Sequence, residues 1–432
     1  MNRTFHLIFP TLLCVIFQVL SPIPARGQMY DVLEQVAASR DKAAGVEGPY
    51  RFDAAPLTDA PKGYKPFYIS HYGRHGSRYA WSSNTYSKIK EILEAAHKAD
   101  ALTPRGQRLY DDYMDFYLIP SVNLGDLSEM GGMQHHQIAK TMCEQFPEVF
   151  KDGGLVSARA SVVQRAIVSM NAFTLGLQKY APKVDITVSA LHTDMLVVNP
   201  YGAAKQIAKR YEGELTIPES TDSFRDRMTD YEGIFGNLFT DMGFLEEIGG
   251  RRAFVYELFN LWAGYHNYVE GDWLEDIFTK EQVLAQWEIE NYTHYIGHTM
   301  RRYHQIPLLE DIIHGADLAI DGGSFKGHFR FGHDTVFNAL ITLLNLNGVG
   351  FQPTKAEDVK YWFQNFNTPM AANLQFVFYR SKKDPDILFK VLWNGQESTF
   401  PQLTPVSGPY YRWTDFKAWA EGVVKEHPMV VQ

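Results

Sequence analysis

The chain has 432 residues, which is enough for one large domain with an elaborate insertion or for two domains. Apolar residues make up 45% and charged residues 21%, a composition typical of a globular protein that buries a sizeable core. The formal net charge is -9 at pH 7. This acidic balance argues against nucleic acid or an anionic membrane surface as a partner, so positive charge for an anionic substrate would have to be concentrated at one site.

Residues 1–27 have the features of a secretory signal peptide. Arg3 supplies a short positive start, Leu7–Leu20 forms an apolar run, and Ala25-Arg26-Gly27 places small residues where a signal peptidase cleaves. A transmembrane anchor is the alternative, but the apolar run falls short of the ~20 residues that span a bilayer. We therefore predict an exported protein without a stable membrane span. Removal of this segment takes away two arginines and no acids, which changes the formal charge from -9 to -11.

The cysteine content gives a second indication of the compartment. The chain has two cysteines, and Cys14 would leave with the signal peptide, so Cys143 would remain alone without an internal disulfide. An exported protein without disulfides has to rely on its hydrophobic core. This pattern favours a bacterial envelope, with the protein in the periplasm or at the outer surface.

Apolar spacing predicts strands and helices that alternate along much of the chain. Residues 203–305 differ, because they show helical spacing without clear strand signals. Asn394-Gly395 between two strand candidates is a strong signal for a hairpin turn. The predicted strands are 66–70, 155–158, 184–188, 328–331, 374–379 and 387–393, and the predicted helices outside 203–305 are 84–100, 128–146 and 162–180.

These elements predict an α/β fold whose core comprises residues 50–200 and 306–432, interrupted by a largely helical cap insertion at 203–305. A substrate cleft is expected between core and cap, since ligand sites commonly lie between such units. In open α/β sheets, ligands also bind outside the carboxyl ends of the strands. The residues that follow the predicted strands are therefore the first candidates for a functional site.

Three clusters of charged residues, histidines and glycines follow predicted strands. The first is His71–Arg78, the second is Arg159–Arg165, and the third is Gly332–Thr335. Each cluster taken alone is weak evidence, because an Arg-His-Gly or a His-Asp sequence arises easily by chance. Their occurrence in order, each between a strand and a helical pattern, predicts one shared site.

The residue types in these clusters suit phosphoryl transfer. That reaction needs a nucleophile, donors that hold the equatorial phosphate oxygens, and an acid for the leaving oxygen. A neutral imidazole can attack phosphorus and form a phosphohistidine, and guanidinium groups grip phosphate through forked, charge-assisted hydrogen bonds. Gly73 and Gly76 flank the Arg74-His75 pair and permit close backbone approach to an anion. An aspartate such as Asp334 can protonate a departing alkoxide.

The same residues resemble the histidine acid phosphatase branch of the histidine phosphatase superfamily. The family motif Arg-His-Gly-x-Arg-x-Pro corresponds to Arg74–Ala80, with an alanine in place of the final proline. Gly332–Thr335 closely matches the motif that contains the family's His-Asp proton donor, and Arg165 fits the second arginine, which opens a helix. Leu127–Gln134 is similar to a further family segment, so the resemblance covers most of residues 66–400.

This resemblance implies a fold and a set of roles. The fold is a phosphoglycerate-mutase-like core sheet flanked by helices. His75 would attack phosphorus, while Asp334 would protonate the leaving group and then assist the water that hydrolyses the phosphohistidine. No metal and no cofactor is implied. The residues that would bind the phosphoryl oxygens are Arg74, Arg78, Arg165 and His333.

The Arg-His-Gly-Ser-Arg-Tyr sequence also resembles the multiple inositol-polyphosphate phosphatases, which usually have His-Ala-Glu where this chain has His333-Asp334-Thr335. We predict a small phosphorylated substrate, with phytate or other inositol polyphosphates first. The alternatives are a general acid phosphatase acting on sugar phosphates, a phosphomutase of the same superfamily, and a non-catalytic phosphate-binding protein. Arg51, Lys62 and Lys65 would either extend a positive rim for a polyphosphate or remain solvated charges. The sequence leaves the oligomeric state open.

Four further histidines occur in pairs on predicted helices. His294 and His298 lie four residues apart and could share a helix face, as metal ligands do. No acidic partner has the spacing of a zinc protease motif, so we expect surface or packed histidines. His135 and His136 are expected to play at most a supporting part behind the site.

Overall fold

The computed structural model describes residues 26–200 and 217–428. The signal peptide predicted at 1–27 lies outside these residues apart from its last two positions, so export and cleavage stay predictions. No helix within the described ranges is long and apolar enough to cross a bilayer. Cys143 is a free, buried cysteine packed among apolar side chains.

One sheet of eight strands forms the centre of the described chain. The strands are β1 (Tyr64–Arg74), β2 (Gly154–Ala160), β3 (Val184–Ser189), β4 (Phe325–Gly332), β5 (Asn373–Ser381), β6 (Leu388–Trp393), β7 (Gln396–Ser398) and β8 (Tyr411–Arg412). Their order across the sheet is β3-β2-β4-β1-β5-β6-β7, and β8 pairs with β6.

Helices make up most of the remaining regular structure. The α-helices of the described residues are α1 (Arg26–Ala38), α2 (Arg40–Ala43), α3 (Asn84–Lys98), α4 (Pro104–Val122), α5 (Glu129–Gln145), α6 (Pro147–Phe150), α7 (Gln164–Tyr180), α8 (Met195–Val198), α9 (Thr221–Met228), α10 (Tyr231–Leu238), α11 (Gly243–Ile248), α12 (Arg251–Gly264), α13 (Lys280–Thr299), α14 (Ile306–Ile320), α15 (Asp334–Leu343) and α16 (Trp413–Glu426).

The strand register brings the candidate clusters to one edge of the sheet. β1 runs parallel to β4, and β4 runs parallel to β2. Arg74 at the end of β1 lies opposite Gly332 at the end of β4, and Phe331 lies opposite Ala160 at the end of β2. The carboxyl ends of three strands therefore meet where α/β folds bind ligands.

Helices cover both faces of the sheet, because its central strands are apolar on both sides. On one face, α5 and α7 pack against side chains such as Val156 and Phe329. On the other face, α14, α15 and α16 pack against side chains such as Tyr68 and Phe376. This arrangement and the strand connections confirm the predicted α/β fold with a core sheet flanked by helices.

A further hydrophobic cluster joins helices from distant parts of the sequence. The described part of 203–305 contains helices and no strand. Its side chains Phe235 and Phe254 share a cluster with Ile92 of α3 and Leu109 of α4. Because α3 and α4 fall within 50–200, this helical unit draws on two stretches of the chain. The division into core and cap with boundaries at 203 and 305 stays a prediction.

Local differences from the predicted elements have physical causes. The strand predicted at 66–70 continues to Arg74, so the first half of the His71–Arg78 cluster belongs to β1. The sequence does not predict α4, because apolar residues such as Leu118 and Val122 lie on its exposed side and blur the apolar stripe. Asn394-Gly395 forms the turn between β6 and β7 with φ angles of 52° and 79°, as predicted.

Candidate active site

The end of β1 delivers His75 to the edge of the sheet. The backbone N–H of Arg74 donates to Ala372 at 2.8 Å, and that of His75 donates to Gly332 at 3.0 Å. Gly76 then lets the chain pass close to α5, since a Cβ at this position would lie 2.5 Å from the carbonyl oxygen of Gly131. These contacts hold the His75 ring in the interior, at the edge of the sheet, rather than in solvent.

The ring of His75 is held in a defined tautomer. Its Nδ1 lies 3.0 Å from the carbonyl oxygen of Gly76, which can only accept, so Nδ1 carries the proton and Nε2 keeps its lone pair. The side chain is buried. Burial, followed by the charges of Arg74 and Arg165, lowers the pKa of His75 well below the ordinary value. The imidazole is therefore neutral, as a nucleophile must be.

Three guanidinium groups surround this imidazole. Arg74 is fully buried, and its Nη1 donates to the carbonyl oxygens of Val46 and, at 3.0 Å, Thr368. Its Nε and Nη2 have no hydrogen-bond partner among the described residues, nor has Nε of Arg78 or Arg165. Buried donors of this kind are costly to leave unpaired, and an anion bound at this place would satisfy them.

Arg165 lies at the same place but comes from the segment that follows another strand, β2. It is the second residue of α7, which begins shortly after β2. Burial, with the nearby charge of Arg78 next in importance, lowers the pKa of Arg165 to about 10. Arg165 and Arg78 thus concentrate positive charge at this place.

His333 and Asp334 form the turn from β4 into α15. His333 is the N-cap of the helix, and its Nε2 is hydrogen-bonded to the hydroxyl of Ser161 at 2.9 Å. Its ring lies 5.5 Å from that of His75, centroid to centroid. Burial, followed by the charge of Arg165, lowers the pKa of His333 to about 4.

The carboxylate of Asp334 faces the arginines. Its Oδ2 lies 3.7 Å from Nη2 of Arg74. Burial favours the neutral carboxyl, but the positive charges nearby, that of Arg74 foremost, outweigh it and lower the pKa of Asp334. The group is ionised while the arginine cluster holds no other anion.

A hydrogen-bonded network supports the turn after His75. The N–H of Ser77 donates to Oε1 of Gln134 at 2.9 Å, and its hydroxyl donates to Asn267 at 2.6 Å. Gln134 lies in the predicted family segment Leu127–Gln134. Ala80 stands where the family motif has proline, and its N–H donates to the hydroxyl of Tyr86 at 3.0 Å. A proline would lose this bond, because it has no N–H.

A cleft with a cavity volume of about 160 Å³ adjoins this cluster. Arg78 and Asp334 line it, and α13 contributes Glu290 and His294. The Nδ1 of His294 donates to the carbonyl oxygen of Glu290 at 2.7 Å, which leaves Nε2 as an acceptor. Further side chains that line the cleft are Trp81, Thr85, Tyr256, Phe259, Asn260, Trp287, Thr293 and Asn365.

All six predicted site residues thus meet at one place. The three charged residues considered for a positive rim lie elsewhere. Lys65 lies nine residues before Arg74 on β1, about 30 Å away at ~3.3 Å per residue. Lys62 precedes even this residue, and Arg51 lines a separate surface pocket. Of the two alternatives for these charges, the two lysines follow the second and are solvated, because β1 carries them away from the site.

Sequence reasoning missed two groups at the site. Glu47, in the 3-10 helix Gly45–Glu47, contacts Arg78, although it lies far upstream and no motif points to it. His294 lines the cleft, whereas only a packed or surface position was expected. His298, for which the same position was expected, is buried. His135 is buried as well, and its supporting part behind the site stays a prediction.

Residues 73–208 match the family model described as the histidine phosphatase superfamily (branch 2). The predicted resemblance is confirmed. The prediction of a histidine-type phosphatase is confirmed at this superfamily level, with the matched region carrying His75, Arg74, Arg78 and Arg165. No curated protein matches the sequence.

Solved structures show the same fold. The apo multiple inositol polyphosphate phosphatase of Bifidobacterium longum superposes with a TM-score of 0.71 and 20% identity, covering 90% of this chain and 99% of that one. The phytase from D. castellii gives 0.63 and 17%, covering 94% and 88%. The apo phytase of Hafnia alvei gives 0.52 and 15%, covering 84% and 98%. At these identities the likeness concerns the fold.

Proposed function

We propose that this chain is an exported phosphomonoesterase that hydrolyses phosphate esters through a phosphohistidine at His75. One observation carries the proposal. The neutral His75, with Nε2 as its free nitrogen, lies beside guanidinium groups whose buried N–H donors have no partner among the described residues. Such a site offers an unprotonated nucleophile and oriented donors for one tetrahedral anion.

In the first step, Nε2 of His75 forms a bond to phosphorus while the bond from phosphorus to the ester oxygen breaks. Arg74, Arg78 and Arg165 hold the equatorial oxygens and stabilise their charge, with His333 as a further donor. Asp334 gives its proton to the departing oxygen, so an alcohol leaves.

In the second step, the carboxylate of Asp334 takes a proton from water, and the oxygen of that water attacks phosphorus. The bond between phosphorus and Nε2 breaks, which frees phosphate and restores His75 and protonated Asp334. A phosphate dianion between Asp334 and Arg74 reduces the influence of the arginine charge that lowers the pKa of Asp334 in the empty site. Substrate binding thus favours the protonated acid.

The substrate class and the compartment complete the proposal. Phytate and other inositol polyphosphates stay the first substrate prediction, because solved structures of this fold include two kinds of protein named for these substrates. A general acid phosphatase acting on sugar phosphates is the second candidate, since the cleft offers aromatic rings and hydroxyl partners such as Trp81 and Thr293 to a polyol. Export rests on residues 1–27, and the periplasm or outer surface on the cysteine pattern.

Phosphate release from an aryl phosphate tests the proposal. We expect His75→Ala to abolish release while the protein stays folded. His97→Ala is the matched control, because His97 is exposed on α3, twelve residues or about 18 Å along the helix from Thr85 at the cleft. Substantial turnover by His75→Ala would refute the nucleophile.

The same assay separates hydrolysis from transfer. A hydrolase releases free phosphate from the aryl ester without any acceptor. A phosphomutase of this superfamily would instead require a sugar phosphate acceptor, and a phosphate-binding protein would release none.

A further inference from the structure

A carboxylate that the proposed mechanism does not use lies among the arginines. Oε1 of Glu47 is 2.8 Å from Nη2 of Arg78 and 3.9 Å from Nη2 of Arg74. The Nη2 of Arg74 thus has Glu47 on one side and Asp334, at 3.7 Å, on the other. Glu47 borders the space where a shared phosphate would bridge the guanidinium groups.

The position of Glu47 is built into the fold. Its backbone carbonyl accepts a hydrogen bond from Nδ2 of Asn267 at 2.7 Å, and the preceding carbonyl, that of Val46, accepts from Arg74. Its carboxylate rests against Gly264, where a Cβ would lie 3.3 Å from Oε2. Glu47 also lines the cleft, so the carboxylate has room to turn outward.

This carboxylate changes the charge that phosphate meets. Arg74, Arg78 and Arg165 contribute three positive charges, and Asp334 and Glu47 each offset one. A phosphate dianion bridging these arginines comes within a few ångströms of Glu47. Repulsion between two anions at such a distance is strong in partly buried surroundings, where water screens them little.

We propose that Glu47 weakens the binding of phosphate to the arginine cluster and thereby speeds the release of product phosphate. The proposal rests on the proposed function, since it takes the cluster to be the phosphate site. It assigns Glu47 neither the nucleophile nor the acid. An enzyme that holds phosphate with three arginines benefits from such an opposing charge, because binding the product as tightly as the transition state slows turnover.

A competing role would produce the opposite effect. If Glu47 served mainly to orient Arg78, its removal would loosen a phosphate donor and weaken binding. Glutamine separates the two roles, because its carbonyl oxygen still accepts from Arg78 while the charge is gone. Alanine removes both the charge and the hydrogen bond.

Calorimetric titration of the full chain with inorganic phosphate at pH 7 provides the test. We expect Glu47→Gln to bind phosphate on the order of tenfold more tightly than the wild type, and Glu47→Ala to bind more tightly as well. Glu275→Gln is the matched control, because Glu275 meets Arg40 at the same 2.8 Å. We expect its affinity to equal that of the wild type.

Unchanged or weaker phosphate binding in the folded Glu47→Gln protein would overturn the proposal. If that variant does not fold, Glu47→Ala decides, with tighter binding in support and unchanged or weaker binding against. Product inhibition of aryl phosphate hydrolysis should follow the same order, with a lower inhibition constant for the tighter variant. A wild type that binds no phosphate would instead contradict the proposed function itself.

Discussion

Replacing Asp334 with asparagine removes the proposed acid and little else. Asp334 is the first residue of α15, and its Oδ2 lies 3.7 Å from Arg74. Asparagine has nearly the same shape, and its carbonyl oxygen can keep the contact with Arg74. The helix, the arginines and His75 should therefore stay in place, while the proton for the leaving oxygen is lost.

The size of the effect depends on the leaving group. A positioned general acid contributes roughly 10²–10⁴ in rate, or about 3–5 kcal/mol at ~1.4 kcal/mol per tenfold. Hydrolysis of an alkyl phosphate should lose this rate contribution in full, because an unprotonated alkoxide is a poor leaving group. An aryl phosphate with a stable phenolate should lose far less.

A series of esters with graded leaving groups measures this dependence. We expect kcat/KM of the wild type to vary little with the pKa of the leaving alcohol, and that of Asp334→Asn to fall steeply as this pKa rises. Asp317→Asn is a matched control, because Asp317 binds Lys417 at 2.7 Å outside the cleft. Equal slowing of alkyl and aryl esters in Asp334→Asn would refute the assignment of the acid.

Three further variants test the supports of the site. Gly76→Ala should lower kcat/KM on the order of 10²-fold, since its Cβ would lie 2.5 Å from the carbonyl oxygen of Gly131 and displace the adjoining His75; wild-type rates would contradict this. Ala80→Pro should cost about 1 kcal/mol in urea unfolding through loss of the bond to Tyr86, with near wild-type kinetics, and a gain in stability would count against it. Burial lowers the pKa of His298 to about 3, so the unfolded chain takes up this proton first as pH falls, and folding stability decreases from about pH 6.5 downward. Between pH 7 and 5, the free energy of unfolding of His298→Gln should fall by roughly 2 kcal/mol less than that of the wild type. An identical fall in the two proteins would contradict this account.

The sequence predicts the sheet edge well, because the signals there are local. β1, β2 and β4 are apolar runs that end in glycine, arginine or histidine clusters, and parallel pairing brings their ends together. The six residues from Arg74 to Asp334 could be found in this way. What no local pattern contains is the register, which decides that Arg74 faces Gly332.

The remaining features depend on contacts between distant residues. Glu47 reaches Arg78 because the 3-10 helix at Gly45–Glu47 packs beside the turn, and nothing in its flanking sequence indicates this. The cluster that joins α3 and α4 to α10 and α12 likewise depends on tertiary packing. The sequence left Lys65 open between a phosphate rim and a solvated charge, and the length of β1 decides for the second, since it carries Lys65 away from the site.

Trapping the phosphorylated enzyme tests the central claim most directly. The wild type is mixed with an aryl phosphate, quenched within milliseconds in alkali, where phosphohistidine survives, and digested for mass spectrometry. We predict phosphate on the peptide that contains His75, with more of it in Asp334→Asn, where the water that hydrolyses the intermediate lacks its base. A turning-over enzyme that carries no phosphate on His75, or carries it on another residue, would contradict the account.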